Sequence, residues 1–155
     1  MQLVPTVLAA CGSFLIAVLW MDLMFDVQVL RHREGAELPE DVLASIAAYY
    51  RRVTTTAQPM GRAIATVMVV LLVALAAELA FGTGRRLLAL ASLPLALGPI
   101  GLAGARVVPN AVRLGARADS PAAQSALARS ICREHLLCLA GMLGFVALQL
   151  VAAGR

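Results

Sequence analysis

Lysine is absent from this chain, so all 13 basic residues are arginine. GC-rich codon usage accounts for that bias as well as any need for guanidinium chemistry. Aromatic residues reach only 5%, too few for the basic stripe with interleaved aromatics that marks a nucleic-acid binder. Charged residues are equally scarce at 14%, which argues against a soluble domain of this size, whose surface must be clothed in polar groups. Three cysteines, an odd number, exclude a closed disulfide framework. Cys132 and Cys138 stand six apart and turn to different helix faces. No internal repeat is visible.

What remains is apolar. Hydrophobic residues make up 61% of the 155 positions, and mean hydropathy is +0.84. Leu3–Met21, Leu87–Ala105 and Leu136–Gly154 each run 19 residues without a charge, and Ala63–Gly84 runs 22 with only Glu78 interrupting. A helix needs about 20 apolar residues to cross a bilayer core and satisfies its own backbone there. The expected fold class is therefore all-α, an integral membrane bundle of four transmembrane helices in a single domain over 1–155. The spans are expected near 3–25, 62–82, 87–108 and 133–153. Ten arginines (31, 33, 51, 52, 62, 106, 113, 117, 129 and 133) lie between spans one and two or three and four, and three (85, 86 and 155) lie on the other side. By the positive-inside rule the first group faces the cytoplasm of a bacterial inner membrane and both termini face outward. Leu8-Ala9-Ala10-Cys11 resembles a lipoprotein cleavage box, but no basic residue precedes it and the apolar run continues to Met21.

Between the first two spans, Pro39 suits a first helical position, with Glu40 and Asp41 at the positive end and Arg51 and Arg52 near the negative end. Val42, Ile46, Tyr49 and Val53 share one face, so an amphipathic helix is expected over about 40–58, with Tyr49 and Tyr50 as interfacial aromatics. Thr54-Thr55-Thr56 and Pro59 predict a kink at 56–61. Ala9, Ser13 and Ala17 form a small-residue stripe in span one that suits close helix packing, with Trp20 as its interfacial continuation. Glu78 is read as reaching the interface beside Arg85 and Arg86; a buried proton or ion site is the alternative. Span three carries Pro94 and Pro99 with Gly98, Gly101 and Gly104, a packing strip or, in the sharper reading, a discontinuous helix around a substrate. Ser120-Pro121 starts a last helix that no breaker interrupts, expected as one rod from about 121 to Ala152.

Polar chemistry concentrates at the arginine-rich end. Asp22 and Asp26 are four apart on one helix face, and so are Arg129 and Arg133. The expected cluster is ion-paired: Asp22 or Asp26 meets Arg129, or else Arg133 or Arg106. Asp22, Asp26, Arg129 and His135 are the catalytic candidates if there is catalysis. His135 and Cys138 match no defined metal spacing, so no metal site is assigned. No motif names a cofactor. The expected partners are the lipid bilayer and a membrane protein or second copy docked on small-residue faces.

The exit from span three, Arg106-Val107-Val108-Pro109-Asn110-Ala111-Val112-Arg113-Leu114, is similar to the valine-proline-asparagine-leucine segment of the anthrone oxygenase-like small membrane proteins of bacteria. The layout of four spans in about 150 residues resembles that family too. The spacing differs by one residue, and Ile131-Cys132-Arg133-Glu134-His135 replaces that family's tryptophan-rich entry to the last span. The resemblance implies a membrane oxygenase acting on a lipophilic substrate, and no catalytic residue carries over. Arg106 and Asn110 also resemble the RxxxN of the membrane glutathione-transferase group, but Arg113 stands where that group has an acid. The reading favoured by the residues themselves is a structural or interaction subunit.

Overall fold

A computed structural model describes residues 3–82 and 86–153. It is all-α: α1 (Leu3–Asp26), α2 (Glu40–Thr55), α3 (Gln58–Phe81), α4 (Arg86–Leu102), α5 (Val108–Ala116) and α6 (Pro121–Ala153). Among the described residues four stretches are long and apolar enough to cross a membrane: Leu3–Arg31, Gln58–Phe81, Arg86–Ala116 and Pro121–Val151. In the bundle α1 packs on α3 and α6, and α4 packs on the same two, which closes a ring of four helices. All of 27–57 and 103–133, and with them nine arginines, gather at one end.

Each helix end has a local cause. After Asp26 the chain tightens into a 3-10 turn over Val27–Arg31, where the Gln28 side-chain amide donates to the Phe25 carbonyl at 2.9 Å and satisfies an acceptor freed at the helix end. Pro39 sits one place before α2 as its cap, and its carbonyl accepts from the Leu43 N–H at 3.0 Å. The hydroxyls of Thr54 and Thr55 donate back to the carbonyls of Tyr50 and Arg51 at 2.7 and 2.5 Å, and Thr56 to Arg52 at 3.2 Å. Such back-bonding competes with the helix ladder, so α2 stops at Thr55, earlier than the expected 58, and α3 begins at Gln58.

Span three also departs from expectation. Pro94 and Pro99 lie inside an unbroken α4, as prolines can in a membrane helix, and the discontinuity of the sharper alternative is absent there. The irregularity falls later, as a π-helical segment over Ala103–Val107. Its closing bond runs from the Val108 N–H five residues back to the Ala103 carbonyl. Pro109 has no N–H and its ring crowds the carbonyl four residues before it; a wider turn relieves both. Ser120 opens α6, accepting from the Gln124 N–H at 2.9 Å through its carbonyl. The helix then runs 33 residues without a break, about 50 Å.

The small-residue stripe of α1 faces outward. Ser13 and Ala17 are exposed, while Leu8, Gly12, Leu15, Leu23 and Asp26 turn inward. Gly12 lets α6 approach: a Cβ there would lie 2.6 Å from Val146 Cγ2. Gly141 does the same for α4, against Pro99. Without a hydrophobic drive between helices in lipid, such close van der Waals contact holds a bundle together. Buried apolar residues form two clusters. One, with Leu8, Leu15, Leu71, Leu75, Met142 and Phe145, fills the four-helix bundle. The other, with Leu43, Ile46, Tyr50, Val107, Leu114 and Ile131, lies under α2.

Candidate functional site

α2 is the lid on the arginine-rich end. Its buried face is Leu43, Ile46, Ala47 and Tyr50, one position round from the expected stripe, with Val42 and Tyr49 only half-buried. The rotation puts both phenols over the end of α1. A crossing with α5 fixes the position: a Cβ on Gly115 would lie 2.7 Å from Arg51 N and 2.9 Å from its Cα. Arg117, in the left-handed region at φ 52°, ends α5 and bonds Glu40 through one guanidinium nitrogen at 2.8 and 2.9 Å.

The seam between the two apolar clusters is polar. Asp26 is fully buried, with Tyr50 and His135 3% and 5% exposed. Tyr50 Oη donates to Asp26 Oδ1 at 2.6 Å, and His135 Nδ1 lies 2.6 Å from Asp26 Oδ2. An ionised carboxylate only accepts, so Nδ1 is the donor and the tautomer is thereby assigned. His135 Nε2 then points to Asp22, at 3.8 Å from Oδ2, within ion-pair range and beyond a hydrogen bond. Tyr49 Oη donates to Asp22 Oδ1 at 2.5 Å. Its ring stacks on Phe25 with centroids 4.1 Å apart. Five side chains from three helices thus make one chain of contacts: Tyr49, Asp22, His135, Asp26, Tyr50. Burial, reinforced by the adjacent carboxylates, holds both phenols well above the usual tyrosine range.

The pairing expected from sequence does not form. Arg129 spends its guanidinium on the backbone, donating to the carbonyls of Ala36 and Gly35 at 3.0 Å and His32 at 3.2 Å. Arg106 Nε meets Glu134 Oε1 at 3.0 Å, an oxygen that also accepts from Ser130 Oγ at 2.9 Å. Arg133 is exposed and makes no hydrogen bond or ion pair among the described residues. Sequence reasoning placed Asp22, Asp26, His135 and both tyrosines at one end but gave Tyr49 and Tyr50 the role of interfacial aromatics. The usable signal was their adjacency to the polar end in a helix too short to reach elsewhere.

The site is closed. A groove of about 310 Å³ runs beside it between the 3-10 turn and α6, and none of the five residues lines it. No grouping of three or more His, Cys, Asp or Glu suited to a metal occurs among the described residues. Glu78 is buried in α3; Arg85, one of its expected neighbours, lies outside the described residues. At that same end Gln149 Nε2 donates to Ser92 Oγ at 2.8 Å. Neither protein-family models, nor curated proteins, nor solved structures yield a match to this chain.

Proposed function

We propose that the protein is a non-catalytic subunit of the bacterial inner membrane, multi-pass with both termini outward, in which the buried seam fastens α2 as a cytoplasmic docking platform. The closure of the seam carries the reading. Asp26 spends both oxygens on Tyr50 and His135, His135 Nε2 faces Asp22, and the adjoining groove does not reach them. Small residues left open on the outer surface support a partner: Ser13 and Ala17 on α1 are exposed, and a Cβ at Gly98, Gly101 or Gly104 would meet nothing within 4 Å. Such faces admit a second helix at close range, from another membrane protein or a second copy. Photo-crosslinking residues at Ala17 and Gly101, with Val69 as an outward-facing control, test this in native membranes. Discrete protein adducts at the first two positions are expected. Lipid adducts alone at all three would overturn the reading.

One observation favours a second reading, a small membrane enzyme acting on a lipophilic substrate, as the resemblance to the anthrone oxygenase-like family implies. A carboxylate-oriented imidazole with its other nitrogen turned to a second acid is competent for proton abstraction. Asp22 is the most open of the three, with its side chain 16% exposed. Turnover of a lipophilic phenol that disappears in His135→Gln while the fold persists would establish this reading over the first.

A further inference from the structure

We propose that the groove between the 3-10 turn and α6 holds the headgroup of an anionic phospholipid, independently of the subunit reading. Its floor is apolar, made by Val29, Leu30, Cys132 and Leu136, and its rim carries Arg33, Arg129 and Arg133. No carboxylate lines it. Three like charges around one apolar floor repel one another unless an anion lies between them. The nearby acids are turned elsewhere or do not line it: Asp22 and Asp26 face the seam, Glu134 is 2% exposed and paired with Arg106, and Glu34 and Glu37 are exposed in the loop outside the groove lining.

The arginines differ in availability. Arg129 is held by loop carbonyls and supplies a fixed positive charge. Arg33 uses only Nε, on the Leu30 carbonyl at 3.2 Å, which leaves both terminal nitrogens to a ligand. Arg133 leaves its whole guanidinium. Guanidinium groups bind phosphate oxygens in bidentate fashion.

Depth selects a lipid over a soluble anion. Along α6, Leu137 and Leu136 are 59% and 41% exposed just before the arginines are reached, and along the end of α1 and the 3-10 turn Met24, Val27 and Leu30 are exposed before Arg33. The outer surface therefore passes from hydrocarbon-facing leucines to guanidinium within about two turns on both walls. A phosphate at Arg33 and Arg133 with an acyl chain laid over Leu30 and Leu136 satisfies both parts. Basic pockets between membrane helices bind anionic headgroups by this combination.

Purified full-length protein, stripped of lipid in mild detergent, is offered phosphatidylglycerol, phosphatidylcholine or glycerol phosphate and read by native mass spectrometry. Retained phosphatidylglycerol, with little phosphatidylcholine and no glycerol phosphate, is the expected result. Arg133→Gln should lower phosphatidylglycerol occupancy about fivefold, the usual effect of one basic residue near an anionic surface, and Arg133→Lys should recover part of it. Arg113→Gln, remote and paired with Asp119, should leave occupancy unchanged. Equal retention of both lipids, or an equal loss in Arg113→Gln, would overturn the site. Binding of glycerol phosphate as strong as that of the lipid would show a soluble anion to be the occupant and would also overturn it.

Discussion

Tyr50 and Tyr49 make the same kind of bond in different surroundings, and their removal should differ accordingly. Tyr50→Phe strips a buried hydrogen bond from fully buried Asp26 and should cost about 1.5–3 kcal/mol, the range for bonds to charged groups. Tyr49→Phe, on the more open Asp22, should cost about 0.5–1.5 kcal/mol. Thermal unfolding in detergent reads both, and an equal or reversed order would count against the seam as drawn. These are the only two tyrosines in the chain, so their ultraviolet titration is clean. Native values lie above the unfolded value of about 10. The stability they contribute is therefore intact below pH 10 and is lost as pH rises beyond it. Folded protein at pH 11 should show no tyrosinate absorbance, and denatured protein should show two residues' worth. The acids and the imidazole of this site were legible in sequence; their partners were not. Position along a helix is written in the spacing, but which side chain faces Asp26 depends on how α2 and α6 are turned. An arginine can carry its charge out along a flexible stem, and Arg133 is exposed while Arg129 turns to the loop, leaving the buried acid to a phenol and an imidazole.

The crossing with least room to give is that of α2 over α5. The obstacle there is the Arg51 backbone, which cannot rotate aside as a side chain does. Gly115→Val should destabilise by about 1–3 kcal/mol, as overpacking does, and should raise protease cleavage at the Thr56–Ala57 join. Gly98→Val, in open space, should do neither. If cleavage were unchanged in Gly115→Val, α2 would not be held by this crossing. Helix existence and length followed from charge-free runs and from Ser120-Pro121. The face of α2 came out one position off because Tyr49 and Tyr50 are chemically alike, and only the burial of Leu43 and Ala47 separates the two registers. The π-helical turn had a sequence cause in Pro109, but proline is compatible with several backbone outcomes. Pro94 and Pro99 sit within regular α-helix, the tolerance open to proline in such helices.

At the scale of the whole molecule, the proposed orientation rests on the asymmetry of charge. A reporter placed after α6 should be active only outside the cytoplasm, and one inserted among 33–37 only within it; cytoplasmic activity from the first would refute the assigned topology. The same architecture has a consequence for biogenesis. Asp26 and His135 are 109 residues apart, so a chain emerging from the ribosome presents its two carboxylates long before their imidazole exists. The phenols come next, 24 and 27 residues after their acids, and the last helix comes at the end. A nascent chain stalled before α6 carries an unfinished polar seam at membrane depth, where unpaired acids are costly. Completion of that seam is therefore predicted to govern the survival of the chain: membrane quality-control proteases should clear chains ending before His135 faster than full-length ones, and His135→Leu should share their short lifetime.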